Sequence, residues 1–183
     1  MTVQQARMAA LYVRPMIELR PLTDEDVEAH VAGEDFEVIR WLSEVPSTDE
    51  STRRHFAVLA ANARAGEGKR GFGIWADGRL AGYIDFDPDA KDMPAAGDVN
   101  LAYAVHPWAR RRGVATAAVL LMCSQLADQV ACKRAIIRVD ARNTASRAVA
   151  VRSGFRCIAD DAPAPGYVMY ALNLPARPQS SSA

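Results

Sequence analysis

The residues best suited to chemistry lie in one stretch, running Val-His-Pro-Trp-Ala-Arg-Arg-Arg-Gly-Val-Ala-Thr from Val105 to Thr116. A strand-like segment ends, a basic loop with one glycine follows, and a long apolar helical segment begins. That order aims unpaired backbone N–H groups and the positive end of a helix at one point, which suits a phosphate or pyrophosphate. Gly113 lets the backbone approach such an anion closely, and Arg110, Arg111 and Arg112 add charge. On charge alone, three loop arginines read as a solvated patch; the strand-loop-helix context points to an anion instead. Other phosphate and catalytic motifs are missing: no G-x-x-x-x-G-K-[ST], no G-x-G-x-x-G after a strand, no H-E-x-x-H, C-x-x-C or G-x-S-x-G. Metal catalysis and serine hydrolysis therefore have no visible basis in the sequence.

These residues need a scaffold. Met16 to Arg20 reads as an opening strand, and Thr23 as a helix N-cap with acids in the first turn. A short helix is expected around Val38 to Leu42. Ser47 and Glu50 form a capping box that starts a helix to about Arg64, ended by Gly66 and Gly68. Phe72 to Ala76, Asp77-Gly78 and Leu80 to Phe86 spell a hairpin. In its return strand Leu80, Gly82, Ile84 and Phe86 share one face, and Ala81, Tyr83, Asp85 and Asp87 the other. Asp98 to Val105 is a further strand, Val114 to about Val130 a buried helix, and Ala135 to Val139 a central strand. Thr144 to Ser153 is a helix closed by Gly154, before strands at Phe155 to Ala159 and Tyr167 to Leu174. The order predicts an α/β fold with a mixed sheet and helices on both faces.

Composition supports one such domain over residues 16–174. Half the chain is hydrophobic, and 22 basic residues balance 22 acidic ones. Neutral balance gives no reason to expect nucleic acid as a partner. Cys123, Cys132 and Cys157 match no zinc or redox spacing, which predicts reduced thiols in a cytoplasmic protein. No apolar run reaches the roughly 20 residues of a membrane span. Residues 1–15 read as a loose arm without a signal-peptide pattern, and 175–183 as a disordered tail.

Arg110-x-x-Gly113-x-Ala115 resembles the acyl-CoA signature Q/R-x-x-G-x-G/A of the GNAT N-acetyltransferase superfamily. The lead-in Tyr103-Ala-Val-His-Pro107 and the tail to Thr116 are similar to that family too. Further on, Asn143-Thr-Ala-Ser146 and then Ser153-Gly-Phe155 resemble its second motif. Within the superfamily, Ile17-Glu-Leu-Arg-Pro-Leu and Trp41-Leu42 followed by proline look like the Rim branch, whose members acetylate ribosomal-protein N-termini. That branch also includes antibiotic and polyamine acetyltransferases.

The resemblance implies the GNAT fold, a mostly antiparallel seven-stranded sheet, and acetyl-CoA as co-substrate without a metal. It implies that Tyr103, Ala104 and Val105 pair with the pantetheine arm. The amides of Arg111, Arg112, Gly113, Val114, Ala115 and Thr116 would hold the pyrophosphate beside Arg110. Asn143 would bond the pantetheine, and Ser146 would lie near the thioester sulfur. On spacing alone Asn143 reads equally as a helix N-cap, and Ser146 as an ordinary helix residue. Many members place a tyrosine acid where this chain has Ala150, so Ser146 becomes the candidate for that role. The Rim pattern often has glutamate where Asn100 stands, leaving Asp98 on the same strand face, or Asp85 on the neighbouring strand, as candidate bases. A lone strand aspartate also reads as a solvated edge residue. His106 is expected to be a solvated loop residue beside the phosphates, outside catalysis. The implied reaction moves an acetyl group to a primary amine by direct attack in a ternary complex. The acceptor would be a peptide N-terminus or a small-molecule amine such as a polyamine or aminoglycoside, with no nucleic acid or membrane partner. A homodimer is compatible with this reading, as is a non-catalytic CoA-binding module, which differs by giving no turnover.

Overall fold

Seven strands form one sheet: β1 (Ile17–Pro21), β2 (Arg70–Ala76), β3 (Arg79–Asp87), β4 (Asp98–Val105), β5 (Arg134–Asp140), β6 (Arg156–Asp160) and β7 (Tyr167–Asn173). Their spatial order is β1-β2-β3-β4-β5-β7-β6, with β4 and β5 parallel and every other neighbouring pair antiparallel. This is the expected mixed, mostly antiparallel GNAT sheet. The computed structural model describes residues 15–129, 132–161 and 164–175. Apart from residues 15 and 175, the expected arm and tail lie outside them. No helix among the described residues is long and apolar enough to cross a membrane.

A 3-10 turn at Asp24–Asp26 leads into α1 (Val27–Ala32). The Asp26 carboxylate accepts from the Thr23 amide at 2.8 Å, fixing the helix start expected at Thr23. Helix α2 (Phe36–Val38) runs on as a π turn at Ile39–Ser43, so the helix expected at Val38 to Leu42 is widened. Helix α3 spans Asp49–Ala65, and Gly66 ends it at φ +72°. Its cap is Thr48 with Ser51, one residue beyond the expected Ser47 and Glu50. Ser47 is drawn off by Glu34, whose carboxylate accepts from the Ser47 hydroxyl at 2.6 Å and amide at 2.9 Å. Helix α4 (Val114–Ala127) and helix α5 (Thr144–Arg152) complete the set. The first ends short of the expected Val130, which lies outside the described residues.

The helices divide between the two faces. Val114, Val119, Met122 and Leu126 of α4 pack with Ile84, Leu101 and Ile137 of the sheet. Each such fully buried side chain contributes about 1.5–3 kcal/mol. On the other face Val27, Phe56 and Leu59 from α1 and α3 pack with Leu80 and Tyr83. Leu80 is therefore on the opposite face from the one expected. Ile74 pairs with Gly82 but Trp75 with Leu80, so Ala81 is an extra bulge residue. The bulge flips the alternation, and Ala81 joins Ile84 and Phe86. Gly82 is forced by crowding, since a Cβ there would stand 2.2 Å from the Ala104 carbonyl oxygen.

Candidate active site

The loop before α4 has the geometry of an anion cradle. Arg111 and Gly113 both take left-handed backbone conformations, φ +62° and +80°, the kind of turn in which successive amides can converge on an anion. The first intrahelical bond runs from the Ala117 amide to the Gly113 carbonyl at 3.0 Å. The amides of Val114, Ala115 and Thr116 precede it and lie at the positive helix end. The arginines divide their roles. Arg110 donates twice to Asp35, both at 2.7 Å, and to the Val105 carbonyl at 2.9 Å. These bonds hold the Asp35 carboxyl below its usual range. Arg112 pairs with Asp77 at 3.2 Å. The Arg110 and Arg112 guanidinium groups thus already face carboxylates, and the backbone carries more of the anion geometry than charge counting implies.

Upstream of the loop, β4 parts from β5. Their pairing runs only from Asp98 with Arg134 to Leu101 with Ile137, although β4 continues to Val105 and β5 to Asp140. The edge of Ala102, Tyr103, Ala104 and Val105 that would face β5 is left without a strand partner. An extended, amide-bearing chain can add there as a strand does. Asn143 caps α5, its side-chain carbonyl accepting from the Ser146 amide at 3.0 Å. Its amide end is a separate group, so capping does not preclude a bond to such a chain. The Ser146 hydroxyl lies 2.9 Å from the Tyr103 hydroxyl, which also donates to the Ser146 carbonyl at 3.2 Å. Burial pushes the Tyr103 phenol up to about 12, so it holds its proton at neutral pH. Ala150 is fully buried in the core.

The opposite face of β4 looks into a cavity of about 780 Å³. Asn100, Ala102, Ala104 and His106 line it from β4 and the residue after, and Tyr83 and Asp85 from β3. All three histidines of the chain, His30, His55 and His106, open onto it. His106 is not the solvated loop residue expected. It is 4% exposed, tucked so closely under Gly33 that a Cβ there would meet its ring, and burial lowers its pKa to about 4. Burial likewise lowers His30. No group of three or more metal-ligating side chains converges among the described residues.

The structure separates the two candidate carboxylates. Asp98 is 3% exposed and held by Arg134 in a two-bond pair at 2.7 and 2.6 Å, and it also accepts from the Ala95 amide. It lies outside the cavity lining. Asp85 is equally buried but lines the cavity, 3.7 Å from the Lys69 ammonium, and its Oδ1 has no hydrogen-bond partner. Burial raises its pKa, more than Lys69 lowers it. Its cross-strand partner is Ala102, the first β4 residue beyond the pairing with β5. Asn100 accepts from Arg138 at 3.0 Å at the same cavity. Tyr83, His55, Lys69 and Arg138 went unselected by sequence reasoning. Tyr83 had a signal, since it shares a strand face with Asp85, whereas nothing local joins His55 to either.

No curated protein matches the sequence. Among solved structures, the ribosomal alpha-N-protein acetyltransferase RimL in complex with coenzyme A aligns at 21% identity. Its TM-score is 0.74, covering 87% of this chain and 95% of that one. Mycobacterium smegmatis RimJ in complex with a CoA disulfide aligns at 22% identity and TM-score 0.75, covering 91% and 86%. The aminoglycoside acetyltransferase AAC(6')-Ib in complex with coenzyme A aligns at 13% identity and TM-score 0.72, covering 86% and 95%. These likenesses concern the fold. The family model described as an acetyltransferase (GNAT) domain matches residues 17–156. The chain belongs to the GNAT acetyltransferase family and is an acyl-CoA-dependent N-acetyltransferase with acetyl-CoA as its co-substrate.

Proposed function

We propose that this enzyme transfers acetyl to an amine carrying a single charge, a peptide N-terminus above all, by direct attack in a ternary complex. The observation that carries the reading is the buried, unpartnered Asp85 Oδ1 in the cavity, across from the start of the β4–β5 opening. An acceptor ammonium satisfies that oxygen, and Asp85 takes its proton. Asn100, held by Arg138, orients the acceptor or an intervening water. On the other face, Ser146 with Tyr103 donates to the departing thiolate. The loop amides from Arg111 to Thr116 hold the pyrophosphate, the Tyr103–Val105 edge and Asn143 hold the pantetheine, and Arg110 braces the loop. Asp98 is structural in this reading. The enzyme supplies proximity and two proton transfers.

Charge argues against a polycation. The carboxylates lining the cavity are Glu34 and Asp85, set against Lys69 and Arg138. Glu34 is already engaged by Ser47. An aminoglycoside or polyamine needs several carboxylates, whereas an α-amine, with a pKa of about 7.7–8.0, needs one modest base. The RimL neighbour is an alpha-N-protein acetyltransferase, which supports the same acceptor class. We place the enzyme in the cytoplasm as a single domain over residues 16–174.

The test is thiol release from acetyl-CoA with N-terminal peptides, a polyamine and an aminoglycoside. Peptides with free α-amines are expected to give the highest kcat/KM, and blocking the α-amine to abolish release. Preference for either polycation overturns the α-amine assignment. Turnover of none of these amines overturns the assignment to this acceptor class.

A further inference from the structure

The proton accepted by Asp85 must leave a carboxyl that is almost fully buried. Asp85 and Tyr83 are 3% and 5% exposed, so neither delivers a proton to bulk water directly. They stand two residues apart on the same face of β3, the phenol and carboxyl close enough to shift each other's ionisation. From α3, the exposed His55 places its Nε2 3.3 Å from the Tyr83 hydroxyl. Gly71 leaves room for this phenol, since a Cβ there would come within 2.9 Å of the Tyr83 oxygen. Other ionisable groups facing the path are Lys69 beside Asp85, and His30 and Glu34 from the α1 side of the cavity.

We propose that Tyr83 and His55 form a proton exit, carrying the acceptor's first proton from Asp85 to solvent. The inference rests on Asp85 being the base. The ammonium gives one proton to Asp85, and the neutral nitrogen forms a bond to the acetyl carbonyl carbon. The carbon–sulfur bond breaks, and the thiolate takes the nitrogen's second proton through Ser146, leaving the amide with one. Asp85 then passes its proton to the Tyr83 oxygen as Tyr83 gives its own to His55 Nε2. His55 releases a proton to water, and Asp85 is a carboxylate again. Partial burial of the His55 ring against Tyr83 and the Lys69 charge depress its pKa, which favours that release. His55 and Tyr83 are positioning residues here, since neither touches the reacting atoms.

The experiment compares Asp85→Asn, His55→Ala and Tyr83→Phe with the wild-type enzyme, using thiol release from acetyl-CoA and a peptide α-amine. His55 is exposed, so its replacement spares the core. His55→Ala is expected to lose about a hundredfold in kcat, the lower end for proton-transfer groups. Its KM and CoA affinity stay unchanged, and imidazole in the buffer restores much of the rate. Tyr83→Phe, which keeps the ring, should lose a similar factor with no rescue by imidazole. If Asp85→Asn is inactive while His55→Ala turns over normally, the exit is overturned and the base assignment stands. A His55→Ala loss that imidazole does not lift also overturns it. Normal turnover by Asp85→Asn removes the base and the exit together.

Discussion

On one face of β4, Tyr103 leans on Ser146 beside the loop that opens α4. On the other, Asn100, Ala102, Ala104 and His106 look into the histidine-lined cavity. The first face is served by residues 103–116 and 143–146, and much of its work is done by backbone amides. The second is assembled from side chains of α1, the π turn, α3, β3 and β4, which meet only once the sheet has formed. The co-substrate is common to the family, so the face proposed to hold it is a local device. The face proposed for the acceptor draws on distant segments, each of which can change independently.

The comparison breaks most sharply if the acceptor face does not hold the base. Asp85→Asn should lower kcat by about a hundredfold to ten-thousandfold, while Asp98→Asn should act on stability through the Arg134 pair. In the wild-type enzyme, kcat/KM should fall as acid protonates Asp85, at a pH above the usual carboxylate range because its pKa is raised. Stability has the opposite sign. A carboxyl with a raised folded-state pKa binds its proton more tightly folded than unfolded. Rising pH through that interval therefore destabilises the native state. Asp85→Asn should melt higher than wild type at pH 7, by about 2–4 °C for each kcal/mol released. The difference should vanish below a pH of about 3.9. Equal melting temperatures at pH 7 would show that Lys69 fully offsets the burial of Asp85.

The second test addresses the loop. Gly113→Asp puts a side chain at φ +80° and a negative charge beside the anion cradle. Losing two charged hydrogen bonds of about 1.5–3 kcal/mol each weakens CoA by at least about a hundredfold, with little change in acceptor recognition. Calorimetry on the folded variant checks this, and unaltered CoA affinity would move the pyrophosphate elsewhere. The smallest effect expected is for Ser146→Ala, because the neighbouring Tyr103 hydroxyl, 2.9 Å away, remains to protonate the leaving group. A loss of about tenfold in kcat, worth about 1.4 kcal/mol, with unchanged acetyl-CoA affinity fits that role. An unaffected rate would shift suspicion to the Tyr103 hydroxyl.

The two faces differ equally in how far they can be read from the chain. Gly113, the arginines before it and the helix after it are contiguous, so their geometry follows from local rules. Asn143 is legible for the same reason, its cap bond reaching only three residues to Ser146. The cap assigned to Ser47 is one residue off because Glu34, 13 residues away, competes for its hydroxyl. Strict alternation in β3 fails at Ala81 because a bulge depends on the partner strand, which a single strand does not reveal. His106 defies the expectation for a loop residue because Gly33, far back in the chain, closes over it. Asp98 and Asp85 look alike as strand aspartates. What separates them is Arg134, whose side chain reaches only one of the two.

Arg110 opens the cofactor signature, yet its guanidinium grips Asp35, the residue that caps α2 and so orients the turn bearing Trp41 in the cavity wall. The loop proposed to receive one substrate is thus bolted to the wall proposed to receive the other, across 75 residues of sequence. Thermodynamic reciprocity applies to any such bolt. Whatever factor acetyl-CoA contributes to acceptor affinity through it, the acceptor must return to acetyl-CoA undiminished.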